Sequence, residues 1–235
     1  MIESVNNERI KEYAKLNNKK YRDETGMFIV EGEHLVEEAL KYMEVVEIFS
    51  LDGRENSTHV SESVMAKLSD LKTPPKVLAV LKKKENGSAG WNSLVLDNIQ
   101  DPGNLGTIIR SARAFGIDSI VLSEDSVDEY NSKVIRASEG MIFSTNIVRT
   151  NLRDFILDNK NECDILTTDV NGGEDIREYN SEWPFILIMG NEGNGVRPEI
   201  AELADKKIYI PMSEGVESLN VGVAASILMY ELSRK

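Results

Sequence analysis

The sequence predicts an α/β protein in two parts, the larger built on a mainly parallel sheet. Short apolar runs alternate with amphipathic segments along the chain, the pattern of strands separated by covering helices. One charged stretch without apolar period, KKKENGSAGWN at residues 82–92, has the composition of a linker. Beyond it, several apolar runs end in loops crowded with turn formers. In parallel sheets, ligands sit beyond the carboxyl ends of the strands.

The elements follow in order. Residues 7–20 read as a polar helix, and MFIVEG as a short strand with a turn at Gly32. EHLVEEALKYM is an amphipathic helix with Leu35, Val36, Ala39, Leu40 and Met43 on one side. EVVEIFSLD, VSESVMAKLSDLK and KVLAVLKKK then read as strand, helix and strand, completing a small α/β domain over residues 1–85. Residues 86–91 form the divide, and residues 92–235 the larger domain. There WNSLVLDNI is a strand, GTIIRSARAF a helix closed by Gly116, and DSIVLSE a strand. A helix near SKVIRASEG, a strand FSTNIV, the helix LRDFILDNK and the strand DILTTDV come next. PFILIMG, RPEIAELA, KIYIPM and LNVGVAASILMYELSRK read as strand, helix, strand and terminal helix.

Composition removes several function classes. No apolar run reaches the length of a membrane span, and the first residues lack the apolar core of a signal peptide. A single cysteine, Cys163, cannot form an internal disulfide and fits a reducing cytoplasm. One Cys and two His do not make a structural zinc site, and no metal is expected. Net charge of -13 argues against a protein that coats nucleic acid by bulk electrostatics. Local positive clusters exist nonetheless: Lys11, Lys15, Lys19, Lys20 and Arg22, then Lys82–Lys84. They either grip phosphates or form a solvated helix face.

Three strand-to-loop junctions carry candidate chemistry. In LDNIQDPGNLGTIIRSARAFG, Pro102, Gly103 and Gly106 shape a loop before a helix bearing Arg110 and Arg113. In ILIMGNEGNGVRPEI, three glycines in six residues let backbone approach a flat ligand closely, and Glu192 is an unusual carboxylate for such a loop. In IPMSEGVESLNVGVAASILMYELSRK, Ser218 is a candidate cap for a helix whose apolar stripe begins at Val221. GxSxG, GxGxxG and P-loop patterns are absent. DVNGGEDIREYN has Glu174 and Asn180 where a calcium loop needs Gly and Glu, so a plain turn is expected. Cys163 reads as a buried structural thiol.

Taken together, DPGNLGTIIRSARAFG, MGNEGNGV and IPMSEGVESLNVGVAASILMYE resemble the three motifs of the SpoU (TrmH-like) branch of the SPOUT RNA 2′-O-methyltransferases, in order. KKYRDETGMFIVEGEHLVEEAL is similar to the L30e-like substrate-binding domain of rRNA-directed members. The resemblance implies a SPOUT α/β domain with a trefoil knot, and methyl transfer from S-adenosylmethionine to a ribose 2′-hydroxyl of RNA. It implies rRNA in preference to tRNA, and a homodimer. The matching catalytic positions are Asn104, Arg110, Glu192, Ser218 and Asn220. The cofactor positions are Met189, Gly190, Asn191, Gly195, Ile210, Met212, Ser218 and Leu219. RNA contacts are expected at Lys19, Lys20, Arg22, Arg110 and Arg113. Glu139 and Gly222 depart from the usual residues, as does the acidic balance, which bears on substrate identity. Arg110 is expected to bind phosphate and stabilise an alkoxide, because a guanidinium stays protonated. A role as general base stays open at the level of sequence. A tRNA enzyme of the same family and a non-catalytic RNA-binding relative are the alternatives.

Overall fold

A computed structural model describes residues 1–170, 172–180 and 184–234. The chain divides into two compact units: residues 1–85 with 128–143, and residues 86–127 with 144–235.

The first unit is built on a four-stranded sheet. Its strands are β1 (Met27–Glu31), β2 (Val45–Ser50), β3 (Thr58–His59) and β4 (Val77–Lys82), in the order β1-β4-β2-β3. β4 is antiparallel to both neighbours, and its first five residues are buried, which suits a central strand. Four helices precede or connect the strands: α1 (Glu8–Ala14), α2 (Lys19–Thr25), α3 (Glu33–Leu40) and α4 (Glu62–Leu68). The single helix expected over residues 7–20 is therefore broken. Asn18 takes an extended conformation and its side chain accepts from the Lys20 amide, capping α2 instead of continuing α1.

Residues 128–143, which the sequence reading assigned to the larger domain, pack with the first unit. The Arg22 side chain is the anchor. It is 5% exposed, and its Nε and Nη2 donate to Asp128 Oδ2 at 3.0 and 2.5 Å, while Nη1 donates to the Leu16 carbonyl at 2.8 Å. Phe28 sits against Tyr130 and Phe143, with ring centroids 4.6 and 6.5 Å away. Lys84 Nζ donates to the Phe143 carbonyl at 2.5 Å. The segment forms a short helix, Ser132–Ala137, and then a 3-10 turn, Met141–Ser144. The expected strand FSTNIV is thus confined to Ile147–Arg149, because Phe143 is turned into the core.

The second unit is a seven-stranded sheet. Its strands are β5 (Ser93–Leu96), β6 (Ser119–Leu122), β7 (Ile147–Arg149), β8 (Asp164–Thr168), β9 (Glu174–Asp175), β10 (Phe185–Met189) and β11 (Lys206–Tyr209). The order is β7-β6-β5-β10-β8-β11-β9, and every described pairing is parallel. β5 and β10 are buried throughout, as their unbroken apolar runs require. β9 lies where a plain turn was expected, pairing Glu174 with Ile208 and Asp175 with Tyr209.

Numbering helices in chain order, α5 is Pro102–Ala114, α6 is Ser132–Ala137 of the first unit, α7 is Leu152–Asn159, α8 is Pro198–Ala201 and α9 is Val221–Ser233. Ile165, Ile186 and Ile188 cluster with Leu152 and Ile156 of α7 and Ile200 of α8. By strand alternation, the fully buried Leu166 and Leu187 point to the opposite face. α5 and α9 pack on each other, with Ser111 and Ser226 hydroxyls 2.7 Å apart and Phe115 edge-on to Tyr230. Because the strands are parallel, the loops after β5, β10 and β11 leave the same edge of the sheet.

Candidate active site

The first loop is shorter than the sequence suggests. Asp101 caps α5, its Oδ1 accepting from the Asn104 amide at 2.8 Å, and Pro102 occupies the first helical turn, where a missing N–H costs nothing. The helix therefore begins at Pro102 instead of Gly106, and Gly103, Asn104 and Gly106 are helical. Arg110 lies on the exposed side of α5 and makes no hydrogen bond or ion pair among the described residues. Arg113 is also exposed and donates to Ser144 Oγ at 3.2 Å.

The second loop closes on itself. Asn191 and Gly195 exchange backbone hydrogen bonds of 3.0 and 2.9 Å, and Asn191 Oδ1 accepts from the Gly193 amide. A Cβ on Gly190 would lie 2.0 Å from the Gly195 carbonyl carbon, so no other residue fits. Gly195 itself has φ +69°, in the left-handed region.

The third loop ends at Asn220, which caps α9: its Oδ1 accepts from the Gly222 and Val223 amides at 2.9 and 3.3 Å. The expectation that Ser218 would cap this helix is corrected. Ser218 is exposed and lies two positions before the capping residue, too early to meet the first free amides.

A chain of amides joins all three loops. Asn220 Nδ2 donates to Asn104 Oδ1 at 2.9 Å, and Asn104 Nδ2 donates to Glu192 Oε1 at 2.9 Å. Asn104 is thereby fixed in orientation, accepting on one side and donating on the other. Glu192 is exposed, so the chain presents a carboxylate at the surface. Near the same edge, Met189 and Gly190 are buried, while Ile210, Met212 and Leu219 remain half-buried beyond the fully buried Ile208. A glycine loop showing its backbone, with partly covered apolar side chains on the neighbouring loop, suits a flat ligand with both apolar and hydrogen-bonding edges. The residues thus fit a nucleoside-bearing cofactor held through main-chain groups.

The SpoU rRNA Methylase family model matches residues 92–230, the stretch that contains all three loops. The chain belongs to the SpoU rRNA methylase family. An MRM3-like substrate binding domain matches residues 7–79 of this SpoU protein. Over 98% of both chains it is 38% identical to the 23S rRNA (guanosine(2553)-2′-O)-methyltransferase RlmP of Bacillus subtilis. A putative RNA methyltransferase of the TrmH family from Porphyromonas gingivalis superposes with a TM-score of 0.89 at 30% identity, covering 98% of this chain and 99% of that one. The AdoMet-bound rRNA methyltransferase from Sinorhizobium meliloti gives 0.88 at 30% identity, covering 99% and 97%. The TrmH/SpoU tRNA modifying enzyme of A. aeolicus covers only 62% of this chain and 76% of its own, with a TM-score of 0.52 at 30% identity.

Among the expected site residues of this SpoU protein, Asn104, Glu192 and Asn220 are brought into contact, whereas Arg110 and Ser218 have no hydrogen bond to them. Lys19 and Lys20 are exposed on α2 of the first unit, each beside a carboxylate one turn on: Asp23 at 2.5 Å and Glu24 at 3.8 Å. The expectation that Arg22 contacts RNA is corrected, since its guanidinium is buried and committed to Asp128. Two residues escaped the sequence reading. Asp97, fully buried just after β5, takes Arg197 through its amide at 2.8 Å and its Nε at 2.7 Å. The one signal available was an Asp closing the apolar run SLVLD, where a polar residue must find a partner or face water. Among the described residues no helix is long and apolar enough to cross a membrane, and no group of three or more His, Cys, Asp or Glu could hold a metal.

Proposed function

We propose that this chain methylates a ribose 2′-hydroxyl of 23S-type ribosomal RNA, with S-adenosylmethionine as methyl donor, and that it works in the cytoplasm as a homodimer. The observation that carries this reading is the amide chain from Asn220 through Asn104 to Glu192, tying the three motifs into one site. The rRNA substrate is supported by likeness to RlmP along both parts of the chain, while likeness to the tRNA modifying enzyme covers only part. The dimer is supported by Val223 and Tyr230 of α9, which leave apolar surface uncovered beside α5. A trefoil knot in the second unit is part of the same reading, supported by membership of the SpoU family over residues 92–230.

The cofactor, held by the loops after β10 and β11, supplies a methyl group already on a good leaving group. The remaining difficulty is the nucleophile, because a ribose hydroxyl is a weak acid. The Arg110 side chain makes no hydrogen bond or ion pair among the described residues, so its guanidinium can pair with the phosphate beside the target ribose. It also offsets the negative charge that grows on the hydroxyl oxygen as the O–H proton departs to phosphate or water. Asn104 and Asn220 hold the loops in register, contributing orientation.

The test is transfer of labelled methyl groups to 23S rRNA from cells lacking the gene, followed by mapping of 2′-O-methyl positions. A single new 2′-O-methylated ribose is expected, and the guanosine named for RlmP is the first position to inspect. Label on a base, or on tRNA alone, would overturn the reading.

A further inference from the structure

The loop from Gly190 to Arg197 is held at both flanks by two consecutive residues, Asp97 and Asn98. At its start, Asn191 Nδ2 donates to the Asn98 carbonyl at 2.8 Å. Asn98 adopts φ +58°, a left-handed conformation that a non-glycine residue enters only at a cost, and its amide is taken by Ser123 Oγ at 2.9 Å. At the loop's end, Asp97 Oδ2 accepts the Arg197 amide at 2.8 Å, and Oδ1 accepts Nε at 2.7 Å and meets Nη2 at 2.5 Å. The Asp97 amide in turn donates to the carbonyl of Met189, the residue that leads into the loop. Arg197 Nη1 reaches Asp125 Oδ2 at 3.3 Å, so one guanidinium ties the loop to the ends of two strands.

The Asp97 carboxylate is 0% exposed, and its partner's side chain is 41% exposed. A charge taken so fully out of water is retained at a desolvation cost that an apolar pair would avoid. Three donors converging on one carboxylate fix both the position and the rotation of the loop's end. We propose that Asp97 and Arg197 form a positioning pair that pre-organises the Gly190–Val196 loop for S-adenosylmethionine. This rests on the proposed function for its ligand. Neither residue touches the reacting atoms; the pair acts by removing the ordering cost that binding would otherwise carry.

The experiment measures S-adenosylmethionine binding calorimetrically to the wild-type chain and to Arg197→Gln, Arg197→Lys, Asp97→Asn and the double variant D97N/R197Q. It is paired with amide hydrogen exchange on the free proteins. Arg197 is the safer site for substitution, being partly exposed, so its variants report even where Asp97→Asn fails to fold. Arg197→Gln is expected to weaken cofactor binding on the order of tenfold and to speed exchange at residues 190–196. Arg197→Lys is expected to stay impaired, since an ammonium lacks the fork. The double variant is expected to be no worse than the worse single one. In steady state the KM for S-adenosylmethionine rises while kcat at saturation and affinity for RNA hold. Unchanged cofactor affinity and unchanged loop exchange in Arg197→Gln would overturn the pair. A wild-type chain that binds no S-adenosylmethionine would instead overturn the proposed function, and loop exchange in the free protein would still judge the pair.

Discussion

Asn104 is held from both sides, accepting from Asn220 and donating to Glu192, so its side chain cannot rotate without breaking two hydrogen bonds. Asn104→Ala removes both at about 1 kcal/mol each, and turnover is expected to fall roughly tenfold, read in single-turnover assays. Arg110 belongs to a different class, exposed and without a hydrogen bond or ion pair from its side chain among the described residues. Arg110→Lys keeps the charge but loses the planar fork, so turnover is expected to drop about a hundredfold while calorimetric affinity for S-adenosylmethionine is unchanged. Near-normal single-turnover rates in that variant would remove Arg110 from the chemistry. Residues of this kind stood out in the sequence because they follow a cluster of turn formers at a strand end, on the first turns of α5. Asp97 and Arg197 were not legible. Their meeting depends on β10 lying beside β5, a neighbour relation that no local pattern encodes. Ser218 was misread as a cap because an Asn two positions later competes for the same amides.

Among elements, α2 and the 128–143 segment show how a helix face can be decided by one buried pair. Arg22 and Asp128 side chains are each 7% exposed, so solvent screens them little. Arg22→Met strands the Asp128 carboxylate in the interior and is expected to cost about 3–5 kcal/mol, measured from urea unfolding. Adding Asp128→Leu should restore much of that loss, because the second change removes the orphaned charge. Strands and helices of the second unit were largely legible from their periodicity, since buried parallel strands read as unbroken apolar runs. The break at Asn18 and the departure of residues 128–143 to the first unit were not. The first turns on a capping side chain, and the second on aromatic contacts between residues more than a hundred positions apart, such as Phe28 and Phe143.

For the whole molecule, alkaline stability reflects two acids kept neutral, the buried Cys163 thiol and the half-buried Tyr130 hydroxyl. Burial pushes the Tyr130 hydroxyl up to about 12 from 10.0, and the Cys163 thiol up to about 11 from 9.0. Each group ionises more readily in the unfolded chain, so its contribution is complete below the ordinary value and is lost as pH rises through the folded one. The thermal midpoint is therefore expected to fall between about pH 9 and pH 12, and Tyr130→Phe should flatten the upper part of that decline. A neutral, buried Cys163 should also resist alkylation at pH 8 until the chain is denatured, as a mass shift would show. The fold class and the two-part organisation were legible from the rhythm of the sequence, whereas the order of strands in the sheet was not. That order also governs how the molecule is made. β10 lies between β5 and β8, yet it is the last of the three to leave the ribosome. Until Met189 has emerged, β5 and β8 both lack the strand that joins them, and the nascent chain carries open strand edges through much of its synthesis. Such long-range pairing folds slowly, so maturation of this protein is limited by the arrival of a central strand and exposed to aggregation while it waits.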